Sequence, residues 1–250
     1  MTAAARAFDR AADYDRHATV QRAVAEALAA RIATLPLPPR PRVLEIGCGT
    51  GFLGAALLPC LPNADWLMTD IAPAMVARTA TRFAEAPGVR FAVMDGEAPD
   101  VEGPFDLICS SLAAQWFADL PGALERLFAR LAPGGRLAIA TLADGSFAEW
   151  QAAHRALGLA PGTPDYPSHE ALTAMRPDGV AGNIAMAPIV ARHDDAATFL
   201  RALKAIGAGT ARGDHRPLPP PALRAVMRRF EADGASVTYA IAHCLFERPA

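Results

Sequence analysis

The sequence has little of several features that mark particular classes of protein. It carries a single lysine, Lys204, among 24 basic residues, and its 26 acidic residues bring the formal net charge to −2. This near-neutral balance argues against a dedicated nucleic-acid-binding protein, which usually has a clear basic excess. The four cysteines form no Cys-x-x-Cys pair, so neither a disulfide framework nor a structural zinc site is expected. The histidines show no metal-ligand spacing either, and we predict no metal site.

Long hydrophobic runs are also missing. No uninterrupted apolar stretch approaches the roughly 20 residues that span a bilayer. Residues 1–22 mix charges with alanines and lack the apolar run of a signal peptide. We therefore predict a cytoplasmic protein with no membrane partner. Hydrophobic residues make up 52% of the 250 residues, which suits one α/β domain with a sizeable core.

Short apolar strands alternate with helices in the first part of the chain, after a helical segment (3–34) and a proline-rich linker that ends at residue 41. Strands alternating with helices at this spacing predict parallel βαβ units in a doubly wound sheet. The predicted strands cover 42–46, 66–69, 89–94, 105–110 and 136–141, and the predicted helices cover 52–58, 73–84 and 119–131, the last stopped by Pro133-Gly-Gly135.

The remainder of the chain is less regular. A helix is predicted over 146–157, and residues 158–188 have weak periodicity and many prolines and glycines. We interpret that stretch as an insertion over the carboxyl edge of the sheet, where open α/β folds bind ligands. Helices over 194–206 and 219–233 and a strand over 236–246 follow. The whole chain is predicted to be one domain (1–250), with an N-terminal segment (1–41), a core (42–141), a substrate-side region (142–235) and a last strand (236–250).

A glycine-rich loop follows the first strand directly, in the segment Glu45-Ile-Gly-Cys-Gly-Thr-Gly51. Glycines there permit a tight turn and let a ligand approach the backbone closely. A dinucleotide-binding pattern that starts at Gly49 matches formally, but it begins two residues too far beyond the strand. The better register starts at Gly47, with an acid two residues earlier.

Two more acids follow predicted strands. Asp70 ends the second strand, where a carboxylate can accept hydrogen bonds from both hydroxyls of a ribose. Asp95 follows the third strand, where it could receive an adenine amino group. Either acid alone is more often a solvated cap or a turn residue. Together with the acid of the glycine loop, each at the expected strand end, they favour a nucleotide-like ligand.

On these motifs the sequence resembles the class I S-adenosylmethionine-dependent methyltransferases. The resemblance covers residues 43–141 and includes Pro133-Gly-Gly135 before the fifth strand. It implies a Rossmann-like, seven-stranded, mostly parallel sheet with an antiparallel final strand, and S-adenosylmethionine as cofactor. The cofactor-binding residues that it implies are Glu45, Gly47, Cys48, Gly49, Gly51, Asp70, Ile71, Met75, Asp95, Gly96 and Ser111.

A closer resemblance spans nearly the whole chain. Segments 8–21, 111–116 and 199–208, with 141–146 and Thr238-Tyr239, resemble the malonyl-carrier-protein O-methyltransferases of biotin biosynthesis. This implies methylation of the free carboxylate of a malonyl thioester on an acyl carrier protein. Such a carboxylate carries no proton, so no general base is expected, only a cationic or hydrogen-bonding clamp. Alternatives are another small-molecule carboxylate methyltransferase, a repurposed assembly factor or, more distantly, hydride transfer with a nicotinamide.

Candidate substrate residues lie outside the glycine loop. Tyr14 and His17 share a helix face that could close over the methionine end of the cofactor, or could simply pack the helix on the sheet. Gln115-Trp116 follows the fourth strand, where the acceptor should sit, although Trp116 could equally be a core residue. Arg201 and Lys204 could grip a carboxylate or a phosphopantetheine phosphate, or could form a solvated face.

The expected partner adds an electrostatic requirement, because acyl carrier proteins are acidic. Arginines concentrate late in the chain, and Arg224 and Arg228 lie one helical turn apart. We predict a carrier-docking surface here. Its members are Arg212, Arg216, Arg224, Arg228 and Arg229.

Overall fold

The computed structural model describes residues 14–177, 179–206 and 216–250. Seven strands form one sheet in the order β3-β2-β1-β4-β5-β7-β6. The first five are parallel, and β7 runs antiparallel to both of its neighbours, as the resemblance implies. The strands are β1 (Arg42–Ile46), β2 (Asp65–Asp70), β3 (Val89–Val93), β4 (Phe105–Ser111), β5 (Leu131–Leu142), β6 (Ala181–Arg192) and β7 (Ser236–Glu247).

Helices cover both faces of the sheet, and several begin at a residue that suits a helix start. Pro73 occupies the first turn of its helix, while Asp119, Ser168 and Asp195 accept backbone N–H groups as N-caps. In chain order the described helices are α1 (Tyr14–His17), α2 (Thr19–Ile32), α3 (Phe52–Leu57), α4 (Pro73–Arg82), α5 (Leu120–Phe128), α6 (Ala148–Arg155), α7 (His169–Ala174), α8 (Ala196–Ala205) and α9 (Pro220–Ala232), with a 3-10 turn at Ala114–Trp116.

Two hydrophobic cores lie on opposite faces of the sheet. On one face the side chains of α2, α3, α6, α8 and α9 pack around Trp66, Trp150 and Phe199. On the other face α5 and α7 cover Ile108 and Ile139. This layering leaves the carboxyl ends of the parallel strands free to form a binding site.

The prediction of an irregular segment over 158–188 is wrong in two places, because α7 and the first part of β6 fall within it. Strand β6 pairs with β7 over its whole length, so pairing supplies the order that its sequence pattern does not indicate. Pro188 lies in this strand, which is tolerated because β6 is at the edge of the sheet and its outer side needs no hydrogen-bond donor.

Other boundaries also differ from the prediction. Helix α5 ends at Phe128, and Pro133-Gly-Gly135 lies inside β5 rather than before it, because β5 begins at Leu131, which pairs with Phe105 of β4. The predicted N-terminal helix is interrupted at Ala18, and its first residues lie outside the described part of the chain. None of the helices in the described residues is long and apolar enough to cross a membrane.

Candidate active site

The glycine loop forms one wall of a cleft at the carboxyl edge of the sheet. Gly47, Gly49 and Gly51 have φ values of 66°, 55° and 87°, in the left-handed region that favours glycine. A Cβ on Gly47 would lie 2.3 Å from the Cβ of Ala113, so the backbone must approach that segment closely. A Cβ on Gly49 would meet no atom within 4 Å, which shows that this side of the loop faces open space.

Asp70 fixes the loop in place. Its Oδ2 accepts the backbone N–H of Gly49 and its Oδ1 accepts that of Ala72, both at 2.9 Å. The hydroxyl of Thr79 donates to the carbonyl of Gly49 at 2.6 Å. Contact of Asp70 with the ribose hydroxyls of a cofactor stays a prediction.

The main cleft has a volume of about 790 Å³ and collects residues from the ends of three strands. Ile46, Asp70 and Ser111 are the last residues of β1, β2 and β4. The lining residues are Tyr14, Ile46, Gly47, Gly49, Asp70, Ile71, Met75, Met94, Asp95, Gly96, Glu97, Ser111, Leu112, Ala113, Trp116 and Phe117.

The segment after β3 closes one end of the main cleft. Asp95 is exposed at the rim, and its Oδ1 accepts the backbone N–H of Glu97 at 2.9 Å. Gly96 is buried, and a Cβ there would lie 2.1 Å from Ile46 and 3.1 Å from the ring of Phe117. This glycine is therefore required by packing, and the space beside it is apolar.

Three of the predicted cofactor residues lie beside the main cleft rather than on its wall. Glu45 and Cys48 line a smaller loop cavity of about 300 Å³ behind the glycine loop, together with Tyr14, Gln21, Ala25, Gly47, Gly49, Thr50, Phe52, Leu53 and Ser111. Gly51 instead packs against the ring of Phe83, with its Cβ position 2.6 Å from that ring. Direct contact of these three residues with a cofactor stays a prediction.

Glu45 is almost completely buried, and its Oε2 has no hydrogen-bond partner among the described residues. Burial raises the pKa of its carboxyl group to about 8, and the nearby charge of Asp70 acts in the same direction. The indole of Trp66 and the backbone of Gly54 oppose this shift of the pKa only in part. Glu45 is therefore mostly protonated at neutral pH and acts behind the loop as a neutral acid.

Tyr14 and His17 occupy different surroundings although they share a short helix. The ring of Tyr14 stacks on Phe52 at a centroid distance of 6.2 Å and lines the main cleft. Burial raises the pKa of its hydroxyl, and the charge of Asp70 adds to the effect. His17 is exposed and lines neither the main cleft nor the loop cavity. A salt bridge of 2.7 Å between Asp15 and Arg82 holds α1 against α4.

A separate aromatic cavity of about 430 Å³ adjoins the main cleft. Leu112 and Trp116 line both spaces and form the boundary between them. Leu112 has a φ of 53°, unusual for a branched side chain and typical of backbone strain at functional sites. The cavity is lined by Gln21, Leu112, Gln115, Trp116, Leu142, Phe147, Pro164, Tyr166, Leu203, Ile206 and Tyr239.

The remaining predicted substrate residues divide between this cavity and the surface. Gln115 lines the cavity; its Nε2 donates to the carbonyl of Leu112 at 2.7 Å. Arg201 and Lys204 are exposed and line none of the three cavities described above. Arg201 donates to Thr198 at 2.8 Å on its own helix. The structure therefore does not bring the predicted cationic pair to the cleft.

Sequence reasoning missed residues of both spaces. Phe117 and Glu97 each lie one or two positions beyond a residue that was predicted, so a wider window around those motifs could have found them. Tyr166 belongs to a stretch without periodicity, and no local signal marks it. Groups of three or more His, Cys, Asp or Glu side chains that could hold a metal are absent from the described residues.

Comparison with known proteins identifies the family. Residues 44–137 match the model of a family described as a methyltransferase domain. Over 244 residues the chain is 44% identical to a malonyl-[acyl-carrier protein] O-methyltransferase from Magnetococcus marinus, which covers 96% of this chain and 90% of that protein. The chain belongs to the malonyl-[acyl-carrier protein] O-methyltransferase family. Its methyl donor is S-adenosylmethionine.

Two further matches agree with this family. The chain is 49% identical over 247 residues to the biotin biosynthesis bifunctional protein BioCD from Bordetella avium, covering 98% of this chain and 52% of that protein. The chain thus spans about half the length of this longer relative. The YcgJ protein from Bacillus subtilis shares the fold, with a TM-score of 0.65 at 17% identity, covering 90% of this chain and 98% of that chain.

The main cleft fits the methyl donor of the family. It lies at the carboxyl edge of the sheet, where open α/β folds bind ligands, and it collects the ends of three strands. The open side of Gly49 allows close approach to the backbone. Asp70 and Asp95 line the cleft at two points. Their contacts with ribose hydroxyls and with an adenine amino group stay predictions.

Proposed function

We propose that this protein transfers a methyl group from S-adenosylmethionine to the free carboxylate of a malonyl thioester held by an acyl carrier protein, an early step of biotin biosynthesis. The observation that carries the proposal is the junction at Leu112 and Trp116, where the aromatic cavity opens beside the main cleft. A donor in the cleft and an acceptor in the cavity would meet at this junction.

The reaction requires the protein mainly to orient the methyl donor and the acceptor. When bound, S-adenosylmethionine supplies an electrophilic methyl carbon on a sulfonium, and its transfer to a carboxylate oxygen leaves a neutral thioether. Because the carboxylate has no proton to lose, the chain needs no general base. Its residues instead align the acceptor and exclude water. The apolar walls formed by Trp116, Phe147 and Leu142 suit the second task.

Cationic side chains on α8 and α9 support binding of an acidic carrier. Leu203 of α8 and Ile206, which directly follows the helix, line the aromatic cavity, while Arg201 and Lys204 of α8 are exposed. This arrangement favours a role for the two cations in holding the phosphate of the carrier arm or the carrier itself, rather than the carboxylate.

The surface of α9 extends this positive region. Arg224 and Arg228 are exposed, as are Arg216 and Arg229, although Arg229 forms an ion pair with Asp233 at 3.2 Å. Arg212, which was predicted to belong to the same surface, lies outside the described residues. Exposed charges of one sign speed association with a partner of opposite sign.

Mass spectrometry of malonyl carrier protein incubated with the enzyme and S-adenosylmethionine tests the proposed function. We expect the malonyl group to gain the mass of one methylene group, as its carboxylic acid becomes a methyl ester, and S-adenosylhomocysteine to accumulate in equal amount. Binding of the methyl donor without any gain of mass would contradict the proposal and would favour a repurposed assembly factor. Methylation of free small carboxylates in preference to the carrier would favour a small-molecule enzyme.

A further inference from the structure

We propose that the aromatic cavity holds the acceptor carboxylate through uncharged hydrogen-bond donors, chiefly the hydroxyls of Tyr166 and Tyr239. The proposal rests on the proposed function and names the residues that recognise the acceptor. Tyr239 is 7% exposed, and Tyr166 is partly buried. No hydrogen bond of either hydroxyl occurs among the described residues, and neither hydroxyl is among the fully buried polar atoms that lack a partner, so both are open to a ligand that enters the cavity.

Both phenol rings are held in place by Phe147. Its ring lies 5.1 Å from that of Tyr239, edge to face, and 6.1 Å from that of Tyr166. Phe147 has a φ of 61°, so its backbone is strained at the position where it supports the two tyrosines.

Backbone contacts fix the strand that carries Tyr239. The carboxylate of Glu149 accepts the backbone N–H and the hydroxyl of Thr238. The hydroxyl of Ser146 accepts the backbone N–H of Ala240 at 3.0 Å. The residues on both sides of Tyr239 are therefore tied to Glu149 of α6 and to Ser146, just before that helix, which restricts where the Tyr239 hydroxyl can lie.

Two amides complete the polar lining. Gln21 comes from α2, and Gln115 comes from the 3-10 turn after β4. Gln115 is already held by Leu112 at 2.7 Å, and its Oε1 lies 3.4 Å from the hydroxyl of Thr141. Gln21 shows no such bond among the described residues and is a third donor available to the acceptor.

The lining residues that the structure describes include no charged side chain. This suits a reaction in which a carboxylate and a sulfonium become a neutral ester and a neutral thioether, because charge disappears along the way. A cation beside the carboxylate would stabilise the starting state more than the transition state and would slow the transfer. Neutral donors also orient the carboxylate, but they stabilise the starting state less than a cation would.

Burial keeps the donors uncharged. It raises the pKa of the Tyr239 hydroxyl to about 12 and also raises the pKa of the Tyr166 hydroxyl. Both groups therefore remain protonated, and able to donate, at any pH where the enzyme would be assayed.

Kinetics of Tyr166→Phe and Tyr239→Phe with malonyl carrier protein test the inference. Each change removes one hydroxyl and keeps the ring, so the folded state and the affinity for S-adenosylmethionine should be retained. A hydrogen bond to a charged group is typically strong enough that its loss should raise KM for the carrier about tenfold or more. Thr173→Val, which removes an exposed hydroxyl from α7, should leave KM unchanged.

A cation introduced into the cavity provides an independent test. In Gln21→Arg we expect KM for malonyl carrier to fall or stay the same while kcat falls about tenfold or more, because the carboxylate is then held too strongly. Gln21→Leu should instead raise KM. A kcat at the wild-type level in Gln21→Arg would contradict the role assigned to neutral donors.

The outcomes separate this inference from the proposed function. If the wild-type enzyme methylates malonyl carrier but both tyrosine variants keep its KM and kcat, the acceptor lies elsewhere and the inference fails while the function stands. If the wild-type enzyme binds S-adenosylmethionine yet does not methylate malonyl carrier, the proposed function itself fails. A higher KM in the tyrosine variants, with unchanged affinity for the methyl donor, supports both.

Discussion

The main cleft and the aromatic cavity share Leu112 and Trp116, yet they are built from different chemistry. The main cleft is made of glycine backbone, carboxylates and strand ends, all but Tyr14 within residues 46–117. The aromatic cavity collects tyrosines, amides and apolar side chains from segments between residues 21 and 239. The comparison teaches that a short local motif can build the cofactor site, whereas the acceptor site requires the whole fold.

A single added methyl group should distinguish the glycine loop from an ordinary turn. Gly47→Ala should lose about 1–2 kcal/mol of unfolding free energy for its left-handed backbone and about 1–3 kcal/mol more for overpacking against Ala113. Gly134→Ala, at a φ of 72° with no atom within 4 Å of the new Cβ, is the matched control and should show only the first loss. Urea unfolding measures both, and equal losses would show that the loop is not tightly packed.

The buried carboxyl group of Glu45, behind the glycine loop, should make the free energy of unfolding depend on pH. The uncharged lining of the aromatic cavity should make no such contribution. The pKa of Glu45 in the folded state is raised to about 8. The contribution of this group to the free energy of unfolding is therefore fully present below the pKa of the unfolded state, and it is lost as the pH rises through 8. Wild-type unfolding free energy should fall by about 2–3 kcal/mol more than that of Glu45→Gln between roughly pH 6 and pH 9. Parallel pH profiles of the two proteins would contradict a neutral Glu45.

Removal of Asp70 should weaken binding in the main cleft without a direct effect on the aromatic cavity. Asp70→Ala should reduce the binding free energy of S-adenosylmethionine by about 1.5–3 kcal/mol, through loss of a buried charged acceptor. Isothermal calorimetry measures the affinity. Because Asp70 also holds Gly49 and Ala72, Asp70→Asn serves as the variant of similar shape. Unchanged affinity in both variants would remove Asp70 from the site.

The smallest effect is expected at the carrier surface, outside both spaces. Changing Arg224 and Arg228 together to Glu should raise KM for malonyl carrier several-fold, more strongly at low salt, and should leave the affinity for S-adenosylmethionine unchanged. Steady-state kinetics at two salt concentrations provide the measurement. If the double variant has wild-type kinetics at both, the carrier docks on another face.

Features built from residues close together in the chain could be predicted from the sequence, whereas features built from distant segments could not. Strand β1, the glycine loop and the acids after β2 and β3 are set by residues close together in the chain, and their positions were predicted. Strand β6 was missed because its order comes from pairing with β7, while its own sequence holds Gly182 and Pro188.

The acceptor residues could not be predicted for a related reason. Tyr166 and Tyr239 both contact the ring of Phe147, which happens only once the chain has folded, and no spacing in the sequence indicates these contacts. For Arg201 and Lys204 the spacing correctly placed both on one helix, but it could not tell which face of α8 turns toward the cavity. The structure shows that Leu203 and Ile206 occupy that face.

We propose above that the protein methylates the carboxylate of a malonyl group on its carrier. This proposal is tested most directly by incubating the enzyme with S-adenosylmethionine labelled in the methyl group and equal amounts of malonyl and acetyl carrier proteins. We expect label to enter the malonyl carrier alone, as a methyl ester that mild base removes. Label in the acetyl carrier, or none in the malonyl carrier while the methyl donor is bound, would contradict it.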